Sequence, residues 1–335
     1  MSKTSASPAL TGRRQLLRHT AAAALSLALP IHGARASNWP SKPIDLIVPW
    51  PAGGATDITI RLLADDMERS LGQPVVVRNK PGAGGTLVAP LLKEAAPDGH
   101  TIGQVPVTVY RHALMRQVDW DPLRDLQPII QVSGTTFGLL VPADSAFRSF
   151  NDLVVWARQH PGRLSMGSTG IGTTPHLAME EILQGLGVTY IHVPYKGTAD
   201  QMMALATNQL MAGMNSTGFA PWIEQGKLRL LSVFSAQRSP SWPQVPTMRE
   251  LGFAQAIYTS PWGMAAPRGT PPEVVRRLHD AIRQAAFEER HQKALHSYDQ
   301  QLEYLNTEQY QRAVLDTVER ERALLQRMNL LAKPS

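Results

Sequence analysis

Three times in this chain a short apolar run stops at a glycine-rich turn and passes at once into a helical pattern. Ile44 to Val48 leads through Pro49 to Gly54 into a helical stretch from Ala55 to Leu71, ended by Gly72. Val75 to Val77 leads into Asn79-Lys80-Pro81-Gly82-Ala83-Gly84-Gly85, and Leu164 to Gly167 leads into Ser168-Thr169-Gly170-Ile171-Gly172. Each handover places a strand beside the helix that covers it. Repeated along a chain, this restricts the fold to α/β, with doubly wound sheets whose strands run parallel. Each turn also leaves backbone N–H groups unpaired at the positive end of a helix, and glycine lets a ligand approach the backbone closely. A tight turn that only reverses the chain has the same composition, so the motif carries both readings.

Further strands are expected at Thr101 to Val105, Pro128 to Val132, Phe137 to Val141, Tyr190 to Val193, Leu210 to Met214, Leu228 to Phe234 and Ile257 to Ala265. A helix is expected at Phe150 to His160, with Ser149 and Asp152 as its capping box. Two more close the chain. One starts at Thr270-Pro271-Pro272-Glu273, with Thr270 as cap, and runs to about Glu289; the other runs from Thr307 to about Met328.

What the turns lack narrows their ligand. A phosphate loop carries Lys after its glycines, but here Lys80 precedes them. Gly170-Ile171-Gly172 lacks the third glycine of a dinucleotide fingerprint, and no Gly-x-Ser-x-Gly elbow occurs. Backbone amides with hydroxyls and no cation suit a carboxylate, through charge-assisted hydrogen bonds. The amides of Gly53 and Gly54 are the first candidates. Asp57 either sits in a first helical turn, where the dipole favours an acid, or receives a ligand hydroxyl or ammonium. Trp50 is either core or an apolar wall. His176 and Glu180, spaced i, i+4, have the separation of metal ligands but no third partner, so a capping or packing role fits them better.

The first 36 residues contain no acid. They carry Lys3, Arg13, Arg14, Arg18 and Arg35, an apolar run from Thr20 to Leu29, and the small-residue pattern Ala34-Arg35-Ala36. This is a cleavable export signal, cut near Ala36, and Thr11 to Leu17 has the twin-Arg form. Its apolar run falls short of the ~20 residues that span a bilayer. Of 33 Lys plus Arg, five leave with it; the remaining 28 face 27 acids, a net charge of +1. The basic face needed for nucleic acid is then missing. Cysteine is absent, which removes disulfides and thiol chemistry. The 299 residues left after cleavage are expected to form two lobes, stabilised by hydrophobic cores. No linker divides them, so the chain should cross between lobes more than once, through strands.

These motifs, in this order, resemble the receptors of tripartite tricarboxylate transporters, the Bug-type periplasmic binding proteins. "WPSKPIDLIVPWPAGGATD", "LGQPVVVRNKPGAGGT" and "APDGHTIG" carry the resemblance in the first part. "GSTGIGTTPHLAME", "HVPYKGTADQMMAL", "VPTMRELGF" and "SPWGMAAPRGTPPEVVRRL" carry it in the second. It implies a two-lobe α/β periplasmic binding protein of type II, with residues 37–136 and 261–335 in the first lobe and 137–260 in the second. It implies a small organic acid held in the interlobe cleft, a membrane permease as partner, a monomeric receptor in the periplasm, and neither cofactor nor metal nor catalytic residues. Nucleic acid and stable membrane insertion are not expected. Mapped onto this sequence, the ligand residues are Trp50, Pro51, Ala52, Gly53, Gly54, Thr56 and Asp57, then Ala83, Gly84 and Gly85. Ser168, Thr169, Gly170, Thr173, Thr174 and Asn215 complete the set. Met211 and Asn215 stand where the family often has acids, which disfavours a ligand bearing an ammonium group. A receptor that presents its ligand to a signalling protein would use the same cleft. A hydrolase acting through Ser168 and His176 is the rival from another class, and no carboxylate is placed to orient that His.

Replacing Arg13 and Arg14 by Lys should hold the precursor in the cytoplasm, as read by cell fractionation. Normal export of the double variant would assign it to the general secretory route.

Overall fold

The computed structural model describes residues 39–332 apart from 217 and 299; the expected export signal and its expected cleavage site near Ala36 lie outside these residues. The run Ile-Asp-Leu-Ile-Val forms β1 (Ile44–Val48), buried on both faces as an inner parallel strand must be. It hands over to α1 (Ala55–Leu71), and Gly72, at φ 71°, ends that helix with its N–H on the Glu68 carbonyl. Then follow β2 (Val75–Asn79), a single turn at Ala83–Gly85, α2 (Val88–Glu94), β3 (Thr101–Pro106), α3 (Val107–Met115), α4 (Pro122–Asp125) and β4 (Leu126–Thr135). The chain continues through β5 (Phe137–Pro142), α5 (Phe150–Gln159), β6 (Leu164–Ser168), α6 (Thr174–Gly185), β7 (Tyr190–Pro194), α7 (Thr198–Ala206), β8 (Ala212–Ser216), α8 (Ala220–Glu224) and β9 (Leu228–Val233). It closes with β10 (Ser260–Pro267), α9 (Pro272–Ala286), α10 (Glu289–Ser297), β11 (Gln301–Leu305) and α11 (Thr307–Arg327).

Two sheets result. One has six strands in the order β11-β4-β10-β3-β1-β2, the other five in the order β7-β6-β8-β5-β9. β1, β2 and β3 are parallel, as are β6, β7 and β8. The sheets are nevertheless mixed. β10 runs antiparallel to β3 and β4, and β5 antiparallel to β8 and β9. The difference from the parallel expectation comes from the crossings. A chain that leaves one sheet and later returns enters its strand from the opposite end. β4 passes directly into β5 with one residue between them, and the return enters β10 at Ser260, whose register partner is Thr135. The two crossings therefore lie side by side.

Local chemistry matches the sequence at most boundaries. Ser149 and Asp152 form the expected capping box of α5, and Asn306 with Gln309 forms another on α11. Thr270 is not the cap of α9: its hydroxyl donates to the Pro267 carbonyl, and Pro271 occupies the cap position. α10 and β11 were not expected. β11 is a short edge strand whose pairing with β4 shifts register between Leu302 and Leu305, and such an interrupted alternation leaves little periodic signal.

Each sheet has its own core. Leu139, Val141, Leu164, Met166 and Leu153 fill the second. Ile47, Val105, Val109, Tyr110 and Tyr310 fill the first. Fully burying one such aliphatic chain stabilises by roughly 1.5–3 kcal/mol. Packing is tight at Gly263, where a Cβ would overlap the Ile130 carbonyl oxygen and the Tyr310 ring. Gly263→Ala should therefore cost about 3 kcal/mol, at the upper end of overpacking effects. Gly185→Ala, in a last helical turn with open space around it, should be neutral or stabilising by about 0.5–1 kcal/mol. Urea midpoints of the two variants check the contrast.

Candidate functional site

Four helices begin at one cavity between the sheets. α1 starts at Gly54, α3 at Pro106, α6 at Thr173 and α7 at Gly197, and none of these starts has a side-chain cap. Residues from all four starts line the cavity. First-turn N–H groups have no intrahelical acceptor, so each start offers donors and the positive end of a dipole. The volume is about 70 Å³, room for roughly five waters at about 10–15 Å³ each. Trp50, Pro106, Phe137, Pro175 and Trp262 supply apolar surface, and Thr and Ser hydroxyls supply most of the polar side chains. No ionisable side chain is among the lining residues.

The two lobes meet on both sides of this cavity. Gly54 lies opposite Thr198, whose hydroxyl would be 3.5 Å from a Cβ placed on Gly54, and Gly197 lies against the Pro51 ring. A Cβ on Gly84 would stand 3.2 Å from Thr173 Cγ2, and one on Gly170 would stand 3.4 Å from Gly84 Cα.

Of the residues singled out in the sequence, Trp50, Pro51, Gly54, Thr56, Thr169, Thr173 and Thr174 line the cavity. The others stand behind or beside it. Gly53, at φ 81°, gives its N–H to Asp57 Oδ2 at 2.8 Å, so that amide is already occupied. Asp57 is 2 % exposed. It also accepts from Arg61 Nε at 3.0 Å and Asn79 Nδ2 at 2.8 Å. Burial pushes its carboxyl up, but the bonds from Arg61, Asn79 and the Gly53 amide outweigh this and hold it below the ordinary carboxylate range. Asn79 Nδ2 also reaches the Trp50 carbonyl at 3.0 Å. Asp57 thus braces the first glycine turn from behind, and Ala52 is exposed on its outer side.

Ala83, Gly84 and Gly85 form a turn with positive φ at all three residues. Gly85 lies under the Trp50 indole, which has its other surface on the cavity, so Trp50 is both packed and lining. Gly84 touches the loop of the second lobe rather than the cavity. Ser168 donates to the Gly170 carbonyl at 3.1 Å and accepts from the Gly170 N–H at 3.2 Å, which fastens that loop. Asn215 is fully buried beneath the site, with Nδ2 on Gln201 Oε1 at 2.9 Å; its neighbour Ser216 reaches the wall. Met211 packs on the second core.

His176 accepts the Gly172 N–H at 3.1 Å and stacks on His192 with centroids 4.0 Å apart. The ring that meets Ser168 is His192, with Nε2 2.7 Å from Oγ, not His176. Among the described residues no group of three or more His, Asp or Glu is placed to hold a metal, and no helix is long and apolar enough to cross a membrane.

Several positions at the cavity and the seam between the lobes were not singled out. Gly197-Thr198 after β7 is a fourth strand–glycine–helix handover, with one glycine instead of two or three. Gln104, Thr108 and Trp262 line the wall from β3, α3 and β10 without any glycine signature. Arg111, 2 % exposed, holds Glu321 through Nε and Nη2 at 2.6 and 2.9 Å. It crosses to the second lobe at the Gly172 carbonyl (3.0 Å) and Thr174 Oγ1 (3.1 Å).

The sequence profile of a family described as "Tripartite tricarboxylate transporter family receptor" matches residues 59–330. A Cupriavidus necator protein, "UPF0065 protein in gbd 5'region", is 43 % identical over 310 residues, 92 % of this chain and 94 % of that one. The structure of periplasmic binding protein BugD superposes with a TM-score of 0.83 at 29 % identity, covering 88 % of this chain and 100 % of the other. MatC from Rhodopseudomonas palustris with bound malate superposes with a TM-score of 0.80 at 26 % identity, covering 86 % and 100 %.

Three histidines near the cavity stay neutral. Burial, then Arg116, holds His112 at about 4. Burial, then His176, holds His192 at about 4. Burial also lowers His176. The unfolded chain therefore binds more protons than the folded one between the ordinary His value of about 6.5 and these lowered ones. Stability should be full above about pH 6.5 and fall as the pH drops from there toward about 4. Urea midpoints measured across pH read the slope, and His112→Gln should flatten it.

Proposed function

The chain belongs to the tripartite tricarboxylate transporter receptor family, and from that premise we propose that it holds a small organic acid in the interlobe cavity and delivers it to a membrane permease. It is a receptor rather than an enzyme; members of the family are periplasmic binding proteins, and the acid-free, twin-Arg-like leader supports export of this chain to the same compartment. The carrying observation is the convergence of four uncapped helix starts on a cavity without an ionisable side chain. Such a site favours an anion through main-chain donors and dipoles, without a salt bridge. The malate carried by MatC is an acid of the proposed kind.

In this reading the ligand carboxylate lies at the start of α1, on the amides after Gly53, with the Thr56 and Thr198 hydroxyls beside it. Thr169, Thr173 and Thr174 approach from the second lobe. The crossings at Thr135–Phe137 and Ser260 are the hinge, with the lobe boundaries at 136/137 and 260/261. Asp57 and Ser168 hold the two loops in shape without touching the acid.

Gly54 has φ −76°, which any residue adopts, so a substitution there should fold. A valine would push into the space facing Thr198. Losing one or two charge-assisted hydrogen bonds, at about 1.5–3 kcal/mol each, predicts binding weaker by roughly tenfold to twenty-thousandfold. Thr56→Ala should lose less, since it removes at most one hydroxyl contact. A thermal-shift screen against mono- and dicarboxylates, aromatic acids and amino acids identifies a ligand, because 100 times the dissociation constant adds about 2.7 kcal/mol. Titration calorimetry then ranks the variants. Native affinity in a folded Gly54→Val protein would remove the acid from this loop.

A further inference from the structure

One wall of the cavity carries three polar side-chain atoms with no hydrogen-bond partner: Gln104 Oε1, Thr108 Oγ1 and Trp262 Nε1. The residues are 1 %, 3 % and 2 % exposed. Register brings them together. Trp262 pairs with Pro106 and Met264 with Gln104, so Trp262 and Gln104 project from the same face of the first sheet. Thr108 follows in the first turn of α3. Buried polar groups in folded proteins are almost always hydrogen-bonded, and three orphans on one wall of a ligand cavity are aimed at what the cavity holds.

Their chemistry is not that of an anion cradle. The indole N–H only donates, the amide oxygen only accepts, and the threonine hydroxyl does either. A carboxylate only accepts, so it would meet Gln104 Oε1 as a like partner. An alkyl group would leave all three atoms unpaired. A hydroxyl accepts from Trp262 and donates to Gln104 at once, with Thr108 free to take either role.

We propose that the ligand is a hydroxy acid, its carboxylate at the facing starts of α1 and α7 and an uncharged hydroxyl against Gln104, Thr108 and Trp262. This rests on the acid-receptor reading above and narrows it to a substrate class.

The test is titration calorimetry on the purified protein with matched short-chain acids that differ at one carbon only: methyl, hydroxyl or carboxylate. At least one hydroxy acid should bind about ten- to a hundredfold tighter than both of its partners. Gln104→Leu and Trp262→Phe should each bring it to within about threefold of its methyl analogue. Without ligand, Gln104→Leu should melt no lower than the parent, since it removes an unpaired buried amide oxygen. Trp262→Phe keeps an aromatic ring and decides the matter if the leucine variant does not fold. Tightest binding of the dicarboxylate in every matched set overturns the proposal and gives this wall to the amide N–H face of Gln104. A hydroxyl preference that survives both substitutions overturns it and leaves the three atoms to water. If no acid of any class binds the folded protein, the acid-receptor reading fails first and this inference falls with it.

Discussion

A buried guanidinium holds the two lobes in register. Arg111 is almost wholly removed from water, which costs several kcal/mol for a charge of this size. Two Glu321 oxygens from α11 offset part of that cost, and two acceptors from the second lobe, Gly172 O and Thr174 Oγ1, complete the set. The first pair lies within the first lobe. The other two bonds reach across to the loop of residues 168–174 in the second lobe. Nearby, Leu177 of α6 packs on Leu324 and Leu325 of α11, so apolar contact and charge-assisted bonds act at the same seam. The start of α6, one of the four that face the cavity, is placed by this seam from outside and by Ser168 from within.

Once the helix starts are placed, their own chemistry follows. A helix end contributes about 0.3–1 kcal/mol to an exposed charge and up to about 2 in partly buried geometry. A charge-assisted hydrogen bond contributes about 1.5–3 kcal/mol. The N–H bonds therefore dominate an anion's attachment, and the dipoles add to them. Asp57 does not contradict an anion site, although it is itself a buried anion. Both of its oxygens are consumed by Arg61, Asn79 and Gly53, so its charge is spent within the first lobe.

Much of this was legible from residue order. The glycine handovers located β1, β2, β6 and the helices after them, and the Ser149/Asp152 box located α5 to within a residue. Seven of the sixteen site candidates line the cavity, and Gly54, Thr56, Thr173 and Thr174 among them stand at helix starts. What stayed hidden depends on partners far away in sequence. Asp57 reads as a first-turn acid, and only Asn79, 22 residues on, shows it to be a brace. Arg111 and Glu321 are 210 residues apart, and nothing local marks either. Gln104 and Trp262 meet through strand register, which no one-dimensional pattern encodes. The mixed character of the sheets was hidden for the same reason, since strand direction at a crossing depends on where the chain returns.

The cavity divides its work between main chain and side chains, and that division bears on how such a receptor changes over generations. An amide N–H cannot be removed by point mutation unless proline enters, so the donors at the helix starts survive most substitutions, although a side chain added at Gly54 would still enter the space in front of them. The walls are built from threonine, serine, glutamine and tryptophan, each exchangeable without unbalancing a buried charge. A gene duplicate could drift at these wall positions, keep its hold on the carboxylate throughout, and acquire a new preference for the rest of the molecule one residue at a time.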